Sequence, residues 1–152
     1  MIQLIRIDDR LLHGQVAYSW KAYLGYEAIV IVSDSASSDD MRKMALKMAK
    51  PENVKLAIRT TENAIKLLNN EKLKKLNVFV VTDTIESAKK LFDGISERPL
   101  LNIGGIQKAD NKEPITSYAY VTEEDKGVLN NLKQSGIKIE FRLVPSDKPK
   151  TY

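Results

Sequence analysis

Cysteine is absent from the 152 residues, and histidine occurs once. The first absence excludes disulfides, zinc–thiolate centres and thiol catalysis. The second excludes a metal site built from several histidines of one chain. Aromatics are sparse, and no basic groove interleaved with them is visible, so nucleic-acid binding is not expected. No apolar run approaches the ~20 residues that span a bilayer. The opening Met-Ile-Gln-Leu-Ile-Arg lacks the basic start and long apolar run of a signal peptide. A cytoplasmic protein is expected. Neither a G-x-x-x-x-G-K-[ST] loop nor a G-x-G-x-x-G fingerprint occurs, which disfavours nucleotide binding of those kinds. Repeats, low-complexity tracts and internal linkers are missing as well. One domain over residues 1–152 is therefore expected.

What is present is ordinary in bulk. Apolar residues at 43% and charged residues at 29% suit a soluble globular chain. The net charge of +4 fits an acidic protein partner or a phosphate ligand. Solvated lysines on helix faces and in a frayed tail at Lys148, Pro149 and Lys150 account for it equally well.

Short β-type runs alternate with helical patterns. Strands are expected at Ile2 to Ile7, Ala28 to Val32, Val54 to Ile58, Asn77 to Val81, Leu100 to Ile103, Tyr118 to Val121 and Lys138 to Leu143. Helices are expected from Gly14 to Leu24, from Ser37, Ser38 or Asp39 to Ala49, and from Thr60 or Thr61 to Asn70. Two more start at Thr84 and Thr122. Threonine, serine and aspartate at these starts can accept the free N–H groups of a first turn. The βαβα order implies a mostly parallel sheet with helices on both faces. The polar stretch 106–118, with Pro114, reads as a lid, a short hairpin or a surface loop.

Chemistry concentrates in Ile5 to Val16. His13 lies where the first strand turns into the first helix, at the sheet edge where open α/β proteins bind ligands. An ordinary imidazole titrates near 6.5, so its nucleophilic neutral form is available near neutrality. Arg10, three residues earlier, can reach an anion at His13 and hold it bidentately. Arg6 lies inside or at the end of the first strand, where an unpaired charge is unfavourable in the core, so it should meet a carboxylate or line the site. Asp8 and Asp9 read as turn formers, N-caps or arginine partners. Gly104 and Gly105 follow a parallel strand, so they lie on His13's edge, and their N–H groups can line a phosphate nest. Trp20 and Tyr23, one turn apart, are core, rim or docking residues.

The run Arg6-Ile7-Asp8-Asp9-Arg10-Leu11-Leu12-His13-Gly14-Gln15-Val16 closely resembles one active-site signature. It is that of the IIB component of the mannose/fructose/sorbose class of the bacterial phosphoenolpyruvate-dependent sugar phosphotransferase system. Asp39-Asp40-Met41-Arg42, Leu46-Lys47-Met48-Ala49 with Pro51, and Asn102-Ile103-Gly104-Gly105 extend the resemblance. It implies a three-layer α/β/α open sandwich, with a mostly parallel sheet of six or seven strands and an antiparallel strand near the C-terminal end. It implies that His13 accepts a phosphoryl group from a phosphohistidine on a IIA partner. His13 then passes it to a hexose-type sugar at the membrane IIC and IID components. Membrane association would be peripheral, through that complex.

Arg10 matches the family's phosphate-binding arginine, and the backbone around His13, at Leu12, Gly14 and Gln15, would complete the cradle. Arg6, Gly104 and Gly105 would line the site. No cofactor or metal is called for, because arginine and N–H groups supply the positive field. The donor is expected to dock around Trp20, Tyr23 and the His13 loop. Two positions depart from the pattern. Ser33-Asp34-Ser35-Ala36-Ser37 stands where an acidic stretch is expected, and Gln107 where many relatives carry histidine. A non-catalytic phosphate-binding or regulatory module of the same fold, and a hydrolase or isomerase with His13 as general base, are the competing readings.

Overall fold

A computed structural model describes residues 1–152. The chain runs β1 (Ile2–Ile7), α1 (Gly14–Leu24), β2 (Ala28–Val32), α2 (Asp40–Ala49), β3 (Lys55–Arg59), α3 (Thr61–Leu68), β4 (Val78–Thr82) and α4 (Ile85–Gly94). It continues through β5 (Leu101–Ile103), β6 (Glu113–Thr116), β7 (Ala119–Val121), α5 (Glu123–Gln134), β8 (Ile139–Phe141) and β9 (Lys150–Thr151). Seven strands form one sheet in the order β3-β2-β4-β1-β5-β8-β9. All neighbours are parallel except β8 and β9.

The helix starts follow the capping chemistry. Asp39, Thr60, Thr84 and Thr122 each accept the backbone N–H three residues on. Thr122 and Asp125 form a reciprocal capping box. Helix α3 stops at Leu68, slightly short of the expected Asn70.

Strand side chains alternate between two cores. Ile5 and Ile7, Val30 and Val32, Val78 and Val80 face the layer of α3, α4 and α5. Leu4, Ile29, Ile31, Phe79 and Val81 face the layer of α1 and α2, which contributes Ala17, Trp20 and Leu46. Polar residues at even positions of β1 therefore point toward α1, and that parity sets the site.

Two expectations fail at the C-terminal side. Tyr118 to Val121 does not join the sheet. Its residues 119–121 are β7, which pairs with β6 in a separate antiparallel hairpin. Ile106 tethers that hairpin through hydrogen bonds to Tyr118 and Tyr120. Pro114 is compatible with this short two-stranded ribbon, where few ladder donors are needed. Lys150 is not frayed. It pairs with Phe141 as the start of β9, and the Tyr152 ring packs edge-on against Phe141 at 5.9 Å.

Candidate functional site

The loop between β1 and α1 is held from several sides. Asp8 N–H donates to Thr82 at the end of β4, and Asp9 N–H donates to Gly105 after β5. Asp9 also accepts the Gln107 N–H at 2.6 Å. Leu11 adopts a left-handed backbone at φ 61, a conformation costing a branched residue about 1–2 kcal/mol. Its buried side chain, with that of Leu12, anchors the turn in the α1–α2 core and offsets that cost. Gly14 follows at φ +36, a value that suits glycine at the first position of α1.

His13 is the residue flanking α1, and its side chain is partly exposed. Its Nε2 lies 3.0 Å from Asp8 Oδ2. The same oxygen accepts Arg6 Nη2 at 3.1 Å, while Asp8 Oδ1 accepts the Arg10 N–H at 3.0 Å. A carboxylate has no proton to give, so Nε2 is the donor and carries the ring proton. In the neutral ring Nδ1 is left with its lone pair, and that is the nitrogen able to act as a nucleophile.

Arg6 and Asp8 are 1% and 2% exposed, so the pair is shielded from water. Burial pulls the Arg6 guanidinium below its ordinary pKa, and the charge and hydrogen bond of Asp8 oppose that pull. Arg6 also donates Nη1 to Asn102 Oδ1 at 2.6 Å and to the Arg142 carbonyl at 3.0 Å. Its terminal nitrogens are thus engaged behind Asp8. Arg6 reaches His13 through Asp8 and is not placed to hold a phosphate itself.

The Arg10 side chain is exposed and makes no hydrogen bond or ion pair. Gln15 is exposed too, and Leu12 contributes backbone only, since its side chain is buried. Gly104 does not offer a free N–H, because that group donates to Ile7 at 2.8 Å. Its lack of a side chain serves another purpose. A Cβ there would fall inside contact distance of Arg6 Nη2 and Cζ, and 2.8 Å from Nη1. Gly105 is looser, with a Cβ position 3.9 Å from Asp8 Oδ1.

Trp20 is fully buried, so it offers no surface to a partner. The Arg6 and Arg142 guanidinium carbons each lie 5.4 Å from its ring centroid. Tyr23 is 58% exposed and remains on the surface near Arg142. Of the roles expected for Asp8, turn former, N-cap or arginine partner, the structure shows the arginine partner, and the bond to His13 was not expected. Sequence reasoning also missed Asn102, Glu140 and Arg142. Their signal was a polar residue between apolar ones in Leu101-Asn102-Ile103, Ile139-Glu140-Phe141 and Phe141-Arg142-Leu143. The largest cleft, about 650 Å³ between α3 and α4, does not include His13.

Fold and site together define an open, mostly parallel α/β/α protein that presents a lone, carboxylate-held imidazole at the carboxyl edge of its first strand. Residues 2–152 match the model of the sorbose-subfamily IIB component of the phosphotransferase system. The chain belongs to that family, and is a phosphotransferase component of a sugar phosphotransferase system. It is 35% identical over 147 residues to a sorbose-specific EIIB component of Lacticaseibacillus casei, covering 97% of this chain and 90% of that one. It is 31% identical to a mannose-specific EIIAB component of Escherichia coli, covering 97% of this chain and 46% of that longer protein. The crystal structure of the IIBSor domain of the sorbose permease from Klebsiella pneumoniae superposes with a TM-score of 0.94. That match has 28% identity and covers 99% of this chain and 92% of that one. No helix of this chain is long and apolar enough to cross a membrane.

Proposed function

We propose that His13 is the phosphoryl carrier of this component, working as one domain over residues 1–152. Nδ1 attacks the phosphorus of a phosphohistidine on a IIA protein or domain. The donor's N–P bond breaks, and the donor ring recovers its lone pair. A hydroxyl of an incoming hexose-type sugar, held by membrane IIC and IID components, then attacks the same phosphorus. The Nδ1–P bond breaks, the O–P bond forms and the hydroxyl proton is released.

One observation carries this reading. Asp8 engages Nε2 and leaves Nδ1 free at the edge of the sheet. The surroundings suit the charge that arrives. The first N–H groups of α1 lack intrahelical partners, and an N-terminus favours anions. The unpaired Arg10 is close enough in sequence to fold over two phosphoryl oxygens. An open edge also suits transfer between two proteins, where a closed pocket would bar the donor. Support for the IIA partner comes from the printed name of the Escherichia coli relative, a fused EIIAB component.

The test is phosphorylation by a IIA partner charged by the upstream carriers. Mass spectrometry under alkaline conditions, where phosphohistidine survives, should place one phosphoryl group on His13. His13→Ala should take up none while keeping its fold. Stable label on that variant refutes the assignment.

A further inference from the structure

Asn102 and Glu140 belong to no role described so far, yet both are buried. They are cross-strand neighbours of the site. In the parallel register Arg6 pairs with Asn102, and Asn102 pairs with Glu140. By strand parity all three side chains leave the apolar face of β1, β5 and β8 toward α1. They form a polar row across a layer that is otherwise hydrocarbon.

The row is bonded end to end. Arg142 Nε donates to Glu140 Oε2 at 3.0 Å. The same oxygen accepts Asn102 Nδ2 at 2.8 Å. Asn102 Oδ1 accepts Arg6 Nη1 at 2.6 Å, and Arg6 Nη2 reaches Asp8 Oδ2 at 3.1 Å. Asp8 Oδ2 then meets His13 Nε2. Each link has one chemically allowed direction. Glu140 can only accept, so the Asn102 amide must turn its NH2 toward β8 and its oxygen toward Arg6. That oxygen and the Arg142 carbonyl hold Nη1, which aims Nη2 at Asp8.

Apolar residues of similar volume often stabilise a core as well as a buried ionic network does. A network kept in such a place, and ending on the reactive ring, fits a positioning role. We infer that Asn102 and Glu140 are positioning residues for phosphoryl transfer: through Arg6 and Asp8 they hold the His13 ring with Nε2 protonated and Nδ1 free. This rests on the function proposed above for His13. It adds that the ring's tautomer is specified from β8, two strands over from β1.

The chain has one histidine, so ring-nitrogen NMR of 15N-labelled protein reads His13 alone. At about pH 8.5, where an ordinary imidazole is neutral, the unchanged chain should show the Nε2–H tautomer. Asn102→Leu keeps the branched outline of the side chain and removes all three of its hydrogen bonds. It should shift the ring toward a mixture of tautomers. It should also lower the transfer rate at saturating donor about tenfold, a loss of orientation, with little change in the donor's KM. Glu140→Gln, a milder change that leaves the backbone pairing intact, should move both readouts the same way by less, and it stands in if Asn102→Leu does not fold. An unchanged tautomer in the folded variants, with a rate that falls only with the folded fraction, overturns the inference. The tautomer is read without phosphate, so this failure is distinct from absence of phosphohistidine in the unchanged chain.

Discussion

On the function proposed for His13, the ring reacts at Nδ1 because Asp8 occupies Nε2, and Arg10 is the group left free to meet the incoming charge. A phosphoryl group brings close to two negative charges, spread over three oxygens in the transition state. The planar guanidinium can contact two of them together, whereas lysine keeps the charge and loses the fork. Arg10→Gln should slow transfer roughly ten- to a hundred-fold, corresponding to a charge-assisted hydrogen bond of ~1.5–3 kcal/mol. Arg10→Lys should slow it by less. Neither should alter the urea midpoint, since the side chain is exposed. Rapid-quench transfer assays check the first point. Asp8 behaves oppositely. Its removal strands Arg6 as a buried, unpaired cation, so Asp8→Ala should cost about 3–5 kcal/mol of stability in urea unfolding.

At the scale of elements, strand parity explains what the sequence made legible. The helix starts were readable because a single hydroxyl or carboxylate satisfies a local N–H. The apolar run of β2 announced a strand buried on both faces. Arg6 was legible as a residue that meets a carboxylate or lines the site, and the structure shows the carboxylate, Asp8. Asp8's second bond was not legible, because it depends on the left-handed turn at Leu11 bringing His13 back over β1. The Gly104 N–H was misread for a related reason. A Gly-Gly pair looks like an anion nest until the register shows β1 using one N–H. The two glycines should therefore differ on substitution. Gly104→Ala forces a Cβ against a guanidinium tied by several hydrogen bonds and should cost about 1–3 kcal/mol, the usual range for overpacking. Gly105→Ala meets only an ordinary contact and should be tolerated. Paired urea denaturations decide whether the close approach to Arg6 is what position 104 requires.

Across the whole molecule, the reactive ring stands on the open carboxyl edge while the opposite face of α1 is sealed into the core. Tyr26 illustrates that seal. It is fully buried, and its hydroxyl donates to the Ala17 carbonyl at 2.7 Å. Burial raises the phenol's pKa well above the usual tyrosine range, and nearby Tyr18 adds to the shift. The folded chain thus keeps a proton that the unfolded chain releases near pH 10. The stabilisation is fully present below that pH and is lost as pH rises further. Stability should fall more between about pH 8 and about pH 11 in the unchanged chain than in Tyr26→Phe. Equal falls would show that Tyr26 does not contribute.

On the proposed function, His13 carries the phosphoryl group on Nδ1 because Asp8 holds Nε2. The most direct test is heteronuclear NMR of the 15N-labelled chain after phosphorylation by a charged IIA partner. The expected result is a single phosphoramidate whose phosphorus couples to Nδ1, with Nε2 still bearing its proton toward Asp8. Phosphorus coupled to Nε2, or no phosphorus on the ring, would contradict the account.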